Sequence, residues 1–310
     1  MFKEKRGELT TNQIVTLVIL IASFIIILIF IFLMNFGKTS DRDICHNSVA
    51  MRASPVIPGE SIPLDCKTNY ICITEDGSCE ERSNTEKKKV KTKDDVYAIL
   101  AEQMADCWWM FGEGKLEYVG KDFFFKDNYC SICAQMAFDN SVVANIKDFS
   151  KAELNKDDFY NYLAKTKING KEITYSEYIF GTNNLDKLKQ ELSKNQSKDV
   201  TFGKLDLNKS QYVVMGITSE VTGRGWKIAA ASVAGVAGFF LPGLGWTWAG
   251  AIAGAVIIST GEYGANANPE ILSITVEGNG VKNNFMAPVI IDVNSEKFKL
   301  LNCENVETLS

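Results

Sequence analysis

The sequence predicts an α+β fold: a single N-terminal transmembrane helix, a small cysteine-rich module, and a mixed α/β exterior domain with an inserted glycine-rich helical hairpin. Three observations carry this prediction. An apolar run near the N-terminus is long enough to cross a bilayer, and all eight cysteines follow it. From residue 94 onward, segments with helical spacing of apolar residues are mixed with alternating segments, as in α+β domains.

The first element is the apolar run Ile14–Met34, which contains no charged residue. Twenty-one residues rise by ~30 Å in a helix, the thickness of the hydrocarbon core of a bilayer. By the positive-inside rule, the cations before the run place a stub of residues 1–13 in the cytoplasm. We expect an anchor over 14–35, a single pass through the cell membrane, and a C-terminal domain outside it. A cleaved secretory signal is the alternative. The cations are Lys3, Lys5 and Arg6.

Two parts of the chain resemble known archaeal proteins. Lys5-Arg6-Gly7-Glu8 resembles an archaeal prepilin-type (class III) signal, which implies cleavage after Gly7 and a helix that packs into a filament or stays as an anchor. The stretches CKTNYICIT (66–74) and DCWWMFGEGK (106–115) are similar to uncharacterised membrane-anchored surface proteins of small-genome archaea. This second resemblance implies a compartment and no activity.

The cysteines predict disulfide bonds. An even number on one side of the anchor is typical of an oxidising compartment, but the pairing does not follow from the sequence. Residues 41–80 form the cysteine-rich module, which has few large apolar residues and needs bridges. Residues 81–93 carry charges of both signs and are expected to form a solvated linker. The candidates are Cys45, Cys66, Cys72, Cys79, Cys107, Cys130, Cys133 and Cys303.

The exterior domain is expected over 94–310. A helix begins at Asp94 or Asp95, and its apolar face extends to Phe111. Further helices are predicted over Ser141–Ser150, Lys156–Thr166 and Asn184–Lys194. Strands are predicted over Glu117–Phe125, Cys130–Phe138, Gln211–Thr218, Ile271–Glu277, Pro288–Val293 and Lys297–Leu301. Two tripeptides, Asn195-Gln196-Ser197 and Asn208-Lys209-Ser210, match the pattern of N-glycosylation acceptors.

The inserted hairpin is expected over 228–261, a stretch without charge in which small residues recur four apart. Such spacing lets two helices approach closely, and Pro242-Gly243 should divide the stretch into two short helices. Four arrangements remain open: a shallow membrane hairpin, a hairpin buried in protein or between copies, two full crossings, and a single crossing. The predicted insertion or assembly surface is Gly235, Gly238, Phe239, Phe240, Leu241, Pro242, Gly243, Trp246, Trp248, Gly250 and Gly254.

One short motif carries candidate chemistry, the pair Cys130 and Cys133. Structural bridges, a redox pair and a metal site with Cys107 are the alternatives. The chain has a single histidine, His46, so Ser-His or Cys-His hydrolysis is disfavoured. Phosphate-loop and dinucleotide-binding motifs are missing from the sequence. We predict no metal, no cofactor and no nucleic-acid partner, given a net charge of −5.

These observations together predict a membrane-anchored, extracytoplasmic, non-enzymatic protein. Its glycine-rich hairpin would mediate membrane insertion or self-assembly at the cell surface. The expected partners are a membrane, further copies of the chain or another surface protein. A pilin-like filament subunit is one alternative function. A thiol-disulfide oxidoreductase that uses Cys130 and Cys133 is the other.

Overall fold

The computed structural model separates into two compact units, Met1–Asp43 and Ile44–Ser310. It describes residues 11–33, 36–54, 62–79, 85–119, 128–149, 151–196, 198–218, 236–240, 252–258, 268–281, 283–301 and 303–308.

The first unit contains helix α1 (Thr11–Leu33) and the beginning of helix α2 (Phe36–Arg52). The side chains described along α1 are those of residues 14–29, and the large apolar ones among them are exposed. Across the described residues, no helix has both the length and the apolar content of a membrane span. The predicted transmembrane helix over 14–35 is therefore wrong, and so is the fold class that included it.

The second unit mixes helices and strands. Its first half contains β1 (Asn69–Thr74), β2 (Glu86–Lys89), α3 (Lys93–Met110), β3 (Asn128–Phe138), α4 (Asn140–Asn145), a 3-10 turn (Lys147–Phe149), β4 (Glu153–Asn155), α5 (Lys156–Lys165), α6 (Tyr175–Phe180) and α7 (Leu185–Gln196). Its second half contains β5 (Lys204–Asp206), β6 (Gln211–Thr218), β7 (Val236–Phe240), β8 (Ile252–Ile258), β9 (Glu270–Glu277), β10 (Asn284–Ile291), α8 (Glu296–Lys299) and β11 (Cys303–Thr308).

Nine of the described strands form one sheet in the order β2-β1-β3-β6-β10-β9-β8-β7, with β11 paired to β3. β1 is parallel to both β2 and β3, and β11 is also parallel to β3. Every pair from β3 to β7 is antiparallel. The sheet therefore has a parallel part that ends at β2 and an antiparallel part that ends at β7. β4 and β5 form a separate two-stranded sheet.

A β-bulge at Cys133 divides strand β3 into two parts. Ile132 and Ala134 face consecutive residues of β6, so Cys133 is the extra residue. Before the bulge β3 pairs with β11, and after it β3 pairs with β1. At this junction the Ile132 carbonyl accepts a hydrogen bond from the Thr68 hydroxyl at 3.2 Å. The bulge marks the place where β3 exchanges one parallel neighbour for the other.

Two apolar clusters pack on the sheet. The larger includes α3, which packs against β3, β6 and β10, and it buries Trp108 completely. The Trp108 ring meets the Phe285 ring edge-on, with centroids 6.2 Å apart. Ile132 belongs to the smaller cluster, whereas Cys133 and Ala134 both belong to the larger one. In a regular strand, Ile132 and Ala134 would face the same side. Because the bulge inserts Cys133 between them, Ala134 faces the larger cluster instead.

The glycine-rich stretch contains strands, so the predicted helical hairpin over 228–261 is wrong. β7 pairs with β8, and β8 extends the sheet by pairing with β9. Three consecutive β-branched residues, Val256, Ile257 and Ile258, favour extended backbone in β8. Here, pairing with β9, a strand outside the glycine-rich stretch, outweighed the helical spacing of small residues. The rest of 228–261 lies outside the described residues.

Of the other predicted elements, one helix and one strand are confirmed here, and one predicted strand is wrong. The helix expected from Asp94 or Asp95 is α3, which begins with a capping box: the Thr92 hydroxyl accepts from the Asp95 N–H at 3.2 Å, and the Asp95 carboxylate accepts from the Thr92 N–H at 2.9 Å. The strand predicted over Gln211–Thr218 is β6. Lys297–Leu301, predicted as a strand, instead lies largely in helix α8.

The cysteine-rich segment and the charged segment after it both contribute strands to the large sheet. β1 lies within residues 41–80 and β2 within residues 81–93. β1 pairs with both β2 and β3, so this part of the chain is continuous with the sheet formed by residues 94–310.

Candidate functional site

The antiparallel part of the sheet ends at an uncharged strand. β7 pairs with β8 along one edge, and among the residues that the structure describes no strand pairs with the other. Its sequence, Val-Ala-Gly-Phe-Phe, contains neither charge nor proline. The free N–H and C=O groups of such an edge are a template for a further strand. We call Val236–Phe240 the β7 edge.

The opposite end of the sheet has a different character. β2 reads Glu-Lys-Lys-Lys, and the Lys87 ammonium donates to the Ser78 carbonyl at 2.5 Å. The Lys88 ammonium lies 3.3 Å from the Glu86 carboxylate. Lysines on an edge strand oppose the addition of another strand, because pairing would bring like charges together and desolvate them. β2 is therefore a protected edge.

β11 is a further strand with a single described partner, β3. Its sequence places Glu304 and Glu307 on the strand, so it is also a charged edge. Of the three described strands that end the sheet, the β7 edge alone has no charged residue.

The β7 edge is attached to a strand that belongs to the core. Gly238 faces Val256 of β8, and Phe239 faces Ala255. The Ala255 and Ile257 side chains are 2% and 1% exposed and belong to the larger cluster. Backbone pairing with a buried strand therefore fixes the position of β7.

Four of the predicted assembly residues are described, and they lie on adjacent paired strands. Gly238, Phe239 and Phe240 are in β7, and Gly254 in β8 faces Phe240. The prediction that these residues line facing helices is corrected: they line a β-ladder. The other predicted residues, Gly235, Leu241, Pro242, Gly243, Trp246, Trp248 and Gly250, lie outside the described residues.

A charged cluster holds the start of β9. Glu270 faces Ile258 of β8, and its carboxylate accepts a hydrogen bond from the Lys297 ammonium at 2.5 Å. Gly203 lies against this carboxylate with φ +78°, and a Cβ added there would be 2.4 Å from Glu270 Oε2. The backbone conformation at residue 203 therefore favours glycine, and an added Cβ would make the Glu270 carboxylate shift.

Lys156 lies buried beside this cluster, with 7% of its surface exposed. Its ammonium group donates to the Ile290 carbonyl at 3.4 Å. Burial and the nearby Lys297 charge lower the pKa of Lys156 to about 8, against the opposing effect of Glu270 and Asp157. No sequence pattern indicated this residue, because a lysine at the start of a helix is ordinarily solvated.

All eight cysteines are paired, so the predicted disulfide bonds are confirmed. Cys45–Cys66 joins α2 to the segment before β1, and Cys72–Cys79 closes the loop after β1. Cys107–Cys133 joins α3 to the bulge of β3, and Cys130–Cys303 joins β3 to β11.

Cys130 and Cys133, the candidate redox pair, are not bonded to each other. Cys133 is bonded to Cys107 and Cys130 to Cys303. Cys130 and Cys133 are both buried, with 0% and 1% of their surface exposed. Cys130 belongs to the smaller apolar cluster and Cys133 to the larger one. This geometry fits two structural bridges.

His46 is held by Trp109. The two rings stack with centroids 4.2 Å apart and planes 18° apart, and His46 Nδ1 lies 2.8 Å from the Trp109 carbonyl oxygen. The hydrogen bond places the proton on Nδ1. In the described part of the chain, no three His, Cys, Asp or Glu side chains are grouped so that they could hold a metal ion.

A polar cleft of about 340 Å³ lies beside the Cys72–Cys79 bridge. Its lining includes Asp139 and Asn140, at the start of α4, and the turn of residues 207–210. The cleft brings together three segments that are distant in sequence, so no sequence pattern indicated it.

Comparisons with known proteins gave no match, whether with protein-family models, with curated proteins or with solved structures.

Proposed function

We propose that the protein is an extracytoplasmic, non-enzymatic assembly module, in which the β7 edge joins two copies of the chain. The observation that carries the proposal is the unequal protection of the strands that end the sheet. β2 and β11 carry charges, whereas Val236–Phe240 carries none. Because an unprotected edge accepts a further strand, the β7 edge is the place where the sheet can be extended.

A second copy is the partner that best suits this edge. Two identical uncharged strands can pair about a two-fold axis without repulsion, and closed two-fold dimers are the commonest homo-oligomers. In an antiparallel pair centred on the middle residue, Gly238 faces Gly238 of the second copy, and Val236 faces Phe240. Glycine at the centre allows the closest approach of the two backbones.

The four disulfides support a location in an oxidising compartment, since such bridges persist outside the cytosol. They also suit a module that must keep its sheet edge in one place. The Cys130–Cys303 bridge fixes β11 against β3, and the Cys107–Cys133 bridge fixes α3 on the sheet.

Cysteine cross-linking tests the proposal directly, because the native chain has no free thiol. In Gly238→Cys, the two new cysteines of a two-fold pair would lie ~4.5–5.5 Å apart at Cα, within reach of a disulfide. We expect mild oxidation of the full chain to give a covalent dimer on non-reducing gels. Lys88→Cys, on the protected edge, is the matched control and should stay monomeric. Equal cross-linking of the two variants would overturn the proposal.

Sedimentation velocity and vesicle flotation separate self-pairing from membrane contact. We expect the wild-type chain to sediment as a dimer without lipid, Gly238→Lys to sediment as a monomer, and Gly238→Ala to remain a dimer. If the wild type is monomeric and floats with phosphatidylcholine vesicles, while Gly238→Lys does not, the β7 edge contacts a membrane and self-pairing is wrong.

A further inference from the structure

Asn208 is presented to solvent by the turn between β5 and β6. The residue is exposed, and the Asp206 carboxylate accepts hydrogen bonds from its backbone N–H at 3.0 Å and from its side-chain Nδ2 at 3.1 Å. The preceding Leu207 is 2% exposed and donates its N–H to the Ala152 carbonyl at 2.8 Å. The turn therefore has a fixed base and an exposed amide at its tip.

We propose that Asn208 is an N-glycosylation site. It begins the tripeptide Asn208-Lys209-Ser210, which has the residue pattern of an acceptor and no proline at the middle position. Lys209 is also well exposed, with 59% of its side chain accessible, so an enzyme can reach the tripeptide in the folded chain. The proposal requires an extracytoplasmic location, for which the four disulfides argue.

The donor class is an oligosaccharide carried on a polyprenyl phosphate or pyrophosphate. Asn208 Nδ2 forms a bond to the anomeric carbon of the first sugar and loses a proton. The bond between that carbon and the phosphate oxygen breaks, and the polyprenyl phosphate group leaves with the electron pair. The transfer changes no oxidation state and leaves the glycan on an amide nitrogen.

The cleft beside the turn gives the first sugar a place to lie. Its lining includes Asn208 and Ser210 of the turn, together with Asp139 and Asn140. Carboxylate, amide and hydroxyl groups are hydrogen-bond partners for sugar hydroxyls. The other tripeptide differs, because Asn195 lies in the last turn of helix α7. We therefore expect modification at Asn208 and not at Asn195.

Peptide mapping by mass spectrometry tests the site. The full chain is produced in cells with an N-glycosylation pathway, and molecules with four intact disulfides are isolated. We expect a glycan on the peptide that contains Asn208, lost in both Asn208→Gln and Ser210→Ala and retained in the matched control Asn195→Gln. An unmodified Asn208 in the fully bridged wild-type chain, while a glycoprotein co-produced in the same cells carries its glycan, would overturn the proposal. So would a glycan at Asn208 that persists in Ser210→Ala.

Discussion

Cys107 of α3 is bonded to Cys133, the extra residue of the bulge in β3, with Cα atoms 5.5 Å apart. The bulge turns Cys133 toward the larger apolar cluster, next to Ala134. The same residue marks the change from β11 to β1 as the parallel neighbour of β3. One bridge therefore attaches the main helix to the place where three strands meet.

The four bridges should contribute unequally to stability. In the chain-entropy description, a bridge stabilises more as the loop that it closes lengthens. The Cys130–Cys303 bridge has a sequence separation of 173 and the Cys72–Cys79 bridge one of 7, which corresponds to about 5 and about 2 kcal/mol. We expect the double variant Cys130→Ala/Cys303→Ala to lose more free energy of unfolding in urea titrations than Cys72→Ala/Cys79→Ala. The reverse order would contradict this account.

The buried Lys156 should make stability rise at alkaline pH. Its pKa is lowered to about 8 in the folded chain, from 10.5 when unfolded, so folding disfavours the charged form. Below pH 8, Lys156 is charged in both the folded and the unfolded state, and the folded state bears the full free-energy cost of burying that charge. Above pH 10.5 Lys156 is neutral in both states, and this cost is absent. We expect the free energy of unfolding to rise across this window by an amount on the order of 3 kcal/mol.

Lys156→Met should remove that rise and stabilise the chain at pH 6, because it replaces a buried charge by an apolar side chain of similar length. Lys204→Met is the matched control, since the Lys204 side chain is 63% exposed. Urea titrations at pH 6, 8 and 10 measure the effect. An unchanged pH profile in Lys156→Met would show that another group is responsible.

Asp139 should stabilise both α4 and the bridged loop before β2. Its carboxylate accepts hydrogen bonds from the Ser141 N–H at 2.9 Å, the Ser78 hydroxyl at 3.0 Å and the Cys79 N–H at 3.2 Å. Burial opposes ionisation, but these hydrogen bonds outweigh it and lower the pKa of Asp139. We expect Asp139→Ala to cost about 1–2 kcal/mol at pH 7, measured by urea titration.

Asp139→Asn is the control for the cap, because asparagine also accepts at this position. It should cost less than Asp139→Ala. A depressed carboxyl pKa stabilises the fold above the unfolded value of ~3.9, and that contribution is lost as pH falls through the folded pKa. Both variants should therefore show a smaller loss of stability than the wild type on acidification below pH 4.

Local signals in the sequence predicted the elements that local interactions determine. α3 has a capping box at Thr92 and an apolar face that includes Leu100 and Trp108, both fully buried. The alternating strand β6 was predicted with its correct ends, Gln211–Thr218. For such elements, the residues that decide the structure lie within the element itself or just before it.

Elements whose structure depends on pairing with another strand were missed. β8 has small residues at helical spacing, and its pairing with β9 decided its structure. β2 was expected to be a linker, because an edge strand of lysines has no apolar alternation to identify it. β11 has the polar sequence Cys-Glu-Asn-Val-Glu-Thr and is a strand through its pairing with β3. The β7 edge could not be identified without this strand order.

The contrast between the two ends of the sheet leads to a last prediction, on the protected end. If the lysines of β2 prevent strand addition, the triple variant Lys87→Thr/Lys88→Val/Lys89→Thr should gain self-association through β2. Threonine and valine favour strands, and the change removes the charges that oppose pairing. We expect sedimentation velocity to show species larger than the wild-type assembly. The matched control replaces the lysines by arginines, which keeps the charge and should leave the assembly unchanged. If the Thr/Val variant sediments like the wild type, the lysines are not what protects this edge, and the unequal protection of the two ends would no longer explain assembly through the β7 edge.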